Sequence, residues 1–166
     1  GWHSTIFGPY FVVGAIFSGI AAILVLMIVF RKVFHLERYL KLIHFNYLSV
    51  LLLVMSLLWF YFTFSEYLTG YYGHEPNEMR VFWYKFSGAF APYFWTMVTC
   101  NFLLPLILLS NRKTRTIPGI LIASISVSIG MWLERLIIVV PSLANPRLPY
   151  PTGTYIPSLT EWTVFL

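Results

Sequence analysis

Long uninterrupted apolar runs dominate this chain. Residues 6–30, 42–65 and 86–109 contain no Asp, Glu, Lys or Arg, giving runs of 25, 24 and 24 residues. A fourth run, 117–140, is broken only by Glu134 and Arg135. An α-helix rises about 1.5 Å per residue, so roughly 20 residues cross a hydrocarbon core about 30 Å thick. Each run is long enough to span. The polar–apolar alternation of barrel strands is absent, which argues against a β-barrel. The pattern predicts an all-α, polytopic transmembrane helix bundle, with helices at about 6–30, 42–68, 86–109 and 117–140.

The ends and the connectors refine this picture. Ser158 and Glu161 are spaced as a capping box, in which hydroxyl and carboxylate satisfy the first free amides of a helix. Residues 158–166 are therefore expected to begin a fifth span. With Gly1 in place of an initiator Met, 1–166 is expected to be a single transmembrane region, an internal segment of a larger membrane subunit. Segment 31–41 holds Arg31, Lys32, Arg38 and Lys41, and segment 110–116 holds Arg112, Lys113 and Arg115. By the positive-inside rule these two loops face the cytoplasm, and segments 69–85 and 141–157 face outward. The outward segments carry Tyr71, Tyr72, Trp83, Tyr84, Pro146, Pro149 and Pro151. Amphipathic rings favour the headgroup level, and proline-rich stretches are extended and stiff. Both an interfacial anchor and a docking surface for an extramembrane partner fit that composition.

Composition excludes the main alternatives. Of 166 residues, 58% are hydrophobic and 10% charged, whereas a soluble domain carries about 25% charged residues. Too little charge is left to coat a water-facing surface. The net charge of +5 does not indicate nucleic acid, because the basic residues sit in short clusters between spans and form no patch. A lone cysteine, Cys100, lies inside an apolar run. It excludes an internal disulfide and a cysteine-built metal site, and reads as a buried structural thiol.

Within the spans, small residues and prolines describe packing. Gly14 and Ser18, and Ala15, Gly19 and Ala22, have the small-xxx-small spacing that lets helices approach closely in lipid. Pro105 removes a backbone hydrogen bond and bends its helix, the freed carbonyl being satisfied by neighbours.

The charges left at membrane depth are the candidates for chemistry, since each costs several kcal/mol and faces the bundle interior or a partner. Glu134 and Arg135 lie roughly 9–10 Å below a helix end at Pro141. Adjacent residues point about 100° apart, so they are not each other's only partner. Ser124 and Ser128 share the face of Arg135. Two readings stand for the pair: a proton path or ligand contact, and a structural ion pair across helices. Glu66 closes the second span beside Thr63 and Tyr67, and His44 opens it beside Asn46 and Tyr47. The 22-residue separation covers roughly 33 Å, placing a titratable group near each surface. A two-half-channel proton route needs such groups; ordinary interfacial polar residues look the same. No second intramembrane histidine matches His44 across a haem. Nor is there a cysteine cluster, a Walker loop or a dinucleotide fingerprint. The segment is expected to bind no metal, redox cofactor or nucleotide itself.

Three stretches carry a family resemblance. They are Trp-His-Ser-Thr-Ile-Phe-Gly-Pro-Tyr-Phe-Val-Val-Gly-Ala-Ile-Phe-Ser-Gly at 2–19, Phe-Ser-Glu-Tyr-Leu-Thr-Gly-Tyr-Tyr-Gly at 64–73 and Met-Trp-Leu-Glu-Arg-Leu-Ile-Ile-Val at 131–139. Together they resemble the NrfD/PsrC-like (polysulfide reductase) membrane subunits, and within them the ActC-type quinol-binding subunit of bacterial alternative complex III. The resemblance runs along essentially the whole chain. It implies a fold of two four-helix bundles with flanking helices in the bacterial inner (cytoplasmic) membrane. It also implies menaquinol or ubiquinol as substrate near the outer surface. Electrons would pass to an iron–sulfur subunit on the outer face, then to c-type haem subunits, beside a paralogous NrfD-like membrane subunit. His3 is carried over as a quinol-pocket wall, and Glu66, Glu134 and Arg135 match the family's proton-route positions. His44 joins that route by its place in the second span. No catalytic residue is assigned. The alternatives are a proton or ion translocating subunit without its own quinol site, and a passive membrane anchor for redox subunits.

Overall fold

The structure, a computed structural model, describes residues 6–73, 76–88, 90–144 and 158, with the side chains of 76–78, 80 and 142–144 excepted. Apart from Ser158, the expected start of a fifth helix at 158–166 lies outside the described residues, as do most of segment 141–157 and His3. The chain forms α1 (Phe7–Val33), α2 (Leu42–Gly73), α3 (Pro76–Phe86), α4 (Ala91–Val98), α5 (Leu104–Ser110) and α6 (Ile117–Ala144). A 3₁₀ turn, Leu36–Arg38, follows α1, and a π turn, Thr99–Leu103, joins α4 to α5. Among the described residues, four segments are long and apolar enough to cross a membrane: α1, α2, the α4–π–α5 unit at Ala91–Ser110, and α6 through Pro141.

Each boundary has a local cause. Arg31 and Lys32 occupy the last turn of α1, where cations complement the exposed carbonyls. His35 then takes a left-handed conformation, φ 51°, and turns the chain toward α2. The third span starts at Ala91, with Phe86 ending α3. Pro92 lies in the first turn of α4, where its missing N–H removes no helical bond. Gly88 makes the tight junction between α3 and α4 possible. A Cβ there would lie 2.5 Å from the Tyr84 carbonyl oxygen. The second span continues past the rim residue Glu66 to Gly73, and the fourth continues through Pro141 to Ala144. Glu66 is therefore two turns inside its helix. Glu134 and Arg135 stand about 13–15 Å from the α6 terminus, deeper than a helix ending at Pro141 implies.

The four spans close into a ring, α1 against α2 and α6, and the third span against α2 and α6. Tyr10 bonds Glu134, and Gly14 abuts Met131, so α1 and α6 run antiparallel. The basic loops 31–41 and 110–116 consequently lie at one end of the bundle. Inside the ring, Phe17, Leu24, Leu52, Trp59, Leu109 and Val127 are fully buried. Outside it, Ile16, Ile23, Leu51, Val54, Ile107 and Ile129 are exposed. In water such a surface would drive aggregation; in lipid it is matched to its solvent. Of the small residues in α1, Gly14 is used inside the bundle, where a Cβ would lie 3.1 Å from the Met131 terminal methyl. Ala15 and Ala22 face outward.

Candidate functional site

Glu134 is the one carboxylate in the bundle core among the described residues, with 2% of its surface exposed. An unpaired carboxylate in hydrocarbon is costly, and the bundle offsets that with donors from two other helices. The Trp59 indole Nε1, on α2, donates to Glu134 Oε1 at 2.7 Å. The Tyr10 hydroxyl, on α1, donates to the same oxygen. Thr63, one turn beyond Trp59, gives its own hydroxyl to the Trp59 carbonyl at 2.9 Å and adjoins Tyr10. Tyr67 follows one turn later and senses both Glu134 and Glu66. A file of polar groups thus leads along α2 from Glu134 toward the α3 end of the bundle.

Arg135 is held differently. Its guanidinium carbon stands 4.4 Å from the centre of the Phe11 ring, a cation–π contact at the edge of the α1–α6 seam. Among the described residues neither Glu134 nor Arg135 forms an ion pair across helices, while Arg135 acts on the Glu134 charge from the same helix. Ser124 and Ser128 bond back to the Ile120 and Ser124 carbonyls at 2.8 and 3.0 Å. They satisfy their own helix and leave Arg135 to the ring.

The remaining candidates lie elsewhere. Glu66 is half-buried on α2 and faces Lys85 of α3. Burial pushes the Lys85 amine below its ordinary value, and the Glu66 carboxylate works against that shift. His44 is exposed at the start of α2, at the basic-loop end. The structure brings Glu134, Arg135 and Glu66 to one half of the bundle and leaves His44 at the other. No metal-binding group of His, Cys, Asp and Glu forms among the described residues.

A second polar layer lies one turn toward the basic loops, and it has a backbone origin. In the π turn the Leu104 N–H bonds the Thr99 carbonyl, five residues back, and Pro105 has no N–H to give. Two consecutive carbonyls, Cys100 and Asn101, lose their intrahelical donors. Each is satisfied from a neighbouring helix. Ser126 of α6 donates to the Cys100 carbonyl at 3.0 Å, and Ser56 of α2 donates to the Asn101 carbonyl at 2.6 Å. The Asn101 side chain is fully buried. Neither its Oδ1 nor its Nδ2 has a partner among the described residues. Its amide rests on Gly130, where a Cβ would lie 2.2 Å from Oδ1.

Sequence reasoning found Glu134 and Arg135 because charge stands out in an apolar run. It missed Tyr10, Trp59, Ser56, Ser126 and Asn101. Tyr10 had a signal, lying inside the 2–19 stretch that carries the family resemblance. Asn101 had one too, as a lone amide in a charge-free run with Pro105 four residues on.

A ring of four spans enclosing a donor-held carboxylate, with lipid-facing aliphatic residues outside, defines a polytopic membrane protein with a polar interior. The family model for NrfD, polysulphide reductase, matches residues 1–146. This chain belongs to that family. A comparison with curated proteins finds no match.

Proposed function

We propose that this chain is a membrane subunit of a quinol:electron-acceptor oxidoreductase of the alternative complex III type. In this reading it helps bind and oxidise quinol and carries protons through its bundle. The observation that carries the reading is Glu134, a buried carboxylate held by Tyr10 and Trp59, with Arg135 acting on its charge but forming no ion pair with it among the described residues. Neutral donors hold it, and no ion-pair partner is stranded when it takes up a proton. That is the property a proton carrier needs.

Quinol oxidation to quinone releases two electrons and two protons. The electrons leave to an iron–sulfur subunit docked on the outer face and on to c-type cytochrome subunits. The menaquinol or ubiquinol substrate sits toward that face, with His3 as a wall of its pocket. The protons are the part this chain handles, through Glu134 and the Thr63–Tyr67–Glu66 file, with His44 as the candidate at the opposite end. Membership of the NrfD family supports a membrane subunit that works with redox partners. The basic loops support a bacterial inner-membrane orientation with 31–41 and 110–116 in the cytoplasm. A translocating subunit without its own quinol site also fits the buried carboxylate. Stoichiometric quinone bound to the purified complex would count against that second reading.

The test is Glu134→Gln in the intact complex, reconstituted in vesicles. The amide keeps the size and an acceptor oxygen but cannot exchange a carboxyl proton. Quinol turnover or proton release per quinol is expected to fall, with subunit assembly unchanged. Unchanged turnover together with unchanged coupling would sink the assignment.

A further inference from the structure

Asn101 is fully buried at the centre of the bundle, and both ends of its amide lack partners among the described residues. Leaving such a group unsatisfied in an apolar interior is costly. The surroundings are not those of a misplaced apolar position. Ser56 and Ser126 reach the same turn from two helices at 2.6 and 3.0 Å, and a glycine at 130 leaves room for Oδ1. The serine hydroxyls donate to backbone carbonyls and keep their own lone pairs free to accept. The layer therefore offers a donor in Nδ2, an acceptor in Oδ1 and two hydroxyl acceptors. That set suits water, which uses two to four polar partners.

We propose that Asn101, Ser56 and Ser126 form an internal water-binding site that extends the proton path of Glu134 toward the basic-loop end of the bundle. The path half of this proposal rests on the proton-carrying reading of Glu134; the water site does not. Gly130 precedes Glu134 by four residues on α6, and Ser56 precedes Trp59 by three on α2, so the two layers are about 5–6 Å apart. A short hydrogen-bonded water file covers that separation. A proton passed along it leaves one water as the next accepts, and Asn101 neither gains nor loses one.

The test uses the intact complex in lipid nanodiscs. A brief X-ray pulse makes hydroxyl radicals from water wherever water is bound, and methionine sulfoxide is read by mass spectrometry. Met97, one turn before Asn101, is 2% exposed. Met27, in the far half of α1, is only partly buried and serves as reference. The site predicts faster oxidation at Met97 than at Met27 in the wild-type complex. In Asn101→Leu, oxidation at Met97 should drop several-fold with Met27 unchanged. Met27 leading Met97, or equal Met97 oxidation in both proteins, overturns the water site. If Asn101→Leu fails to assemble, the wild-type comparison still decides. Proton coupling decides the path: Asn101→Leu should lose it as Glu134→Gln does. Coupling retained in Asn101→Leu but lost in Glu134→Gln overturns the part of Asn101 in the path. Coupling retained in Glu134→Gln instead removes the reading of Glu134, and with it the path half, while the radical labelling still judges the site.

Discussion

Two polar layers cross this bundle one helical turn apart, and they answer the same solvent in opposite ways. Around Glu134 the polar group is a side chain, and other side chains satisfy it: Tyr10 from α1 and Trp59 from α2. Around the π turn the polar groups are backbone carbonyls, and serines from α2 and α6 satisfy those. In the first layer the fold accommodates a charge. In the second it accommodates a proline. Polarity in a membrane interior thus has two sources, a buried side chain and a backbone left short of donors, and the residues around it tell which is present. Large amphipathic donors converging on one carboxylate oxygen mark the first; small hydroxyls aimed at carbonyls mark the second.

That contrast can be broken most sharply at Trp59. Trp59→Phe keeps most of the buried ring and removes the Nε1 donor, leaving a buried carboxylate short of one bond. A hydrogen bond to a charged group contributes about 1.5–3 kcal/mol, so a clear fall in the unfolding midpoint of the purified complex is expected. A neutral result would mean that Glu134 is not held as a charge. The second layer should yield less, and in a conditional way. Ser56→Ala removes the donor to the Asn101 carbonyl and should cost about 1 kcal/mol. Pro105→Ala supplies a backbone N–H to the same turn. In that background Ser56→Ala should cost little, giving a coupling of about 1 kcal/mol in a double-mutant cycle. Additive effects would break the account of Ser56 as a repair for Pro105.

The smallest effect lies outside the ring, at α3. Burial holds the Lys85 amine below the ordinary lysine value of 10.5, so the docked state binds its proton less tightly than the undocked one. By linkage, α3 docking should strengthen as pH rises from the lowered value toward 10.5 and level off above it. Because Lys85 is partly exposed, the slope should be shallow. Melting followed by the fluorescence of Trp83, exposed on α3, measures it. Lys85→Met should abolish the slope.

The spans were legible because lipid imposes a simple demand, some twenty residues nearly free of charge, and the sequence meets it three times outright and a fourth time broken only by Glu134 and Arg135. Family membership was legible in the stretches around Tyr10, Glu66 and Glu134. The partners of Glu134 were not. They lie 124 and 75 positions away, and which aromatic residues meet it depends on antiparallel packing that no local pattern records. Helix α3 was hidden for another reason. Its charges and aromatic residues read as an interfacial segment, and Phe86 merged with the apolar run that follows. Pro105 was legible as a disturbance of its helix with a carbonyl satisfied from outside. The form taken, a π turn freeing two carbonyls, depends on Ser56 and Ser126 being in place to receive them.

The π turn also keeps time for its helix. The buried positions of the third span are Phe94, Met97, Asn101, Pro105 and Leu109, separated by three residues and then by four, three times over. Four residues of a regular α-helix advance about 400°, so three such steps would drift about 120° and carry Leu109 off the core. The wider turn at Thr99–Leu103 advances less per residue and takes back part of that drift. One residue more in a single turn thus phases both halves of the span to the same axis. Winding all five residues of 99–103 as regular α-helix would put the two ends of the span out of step with the bundle, whereas deleting one of them would straighten the helix and keep its ends in phase.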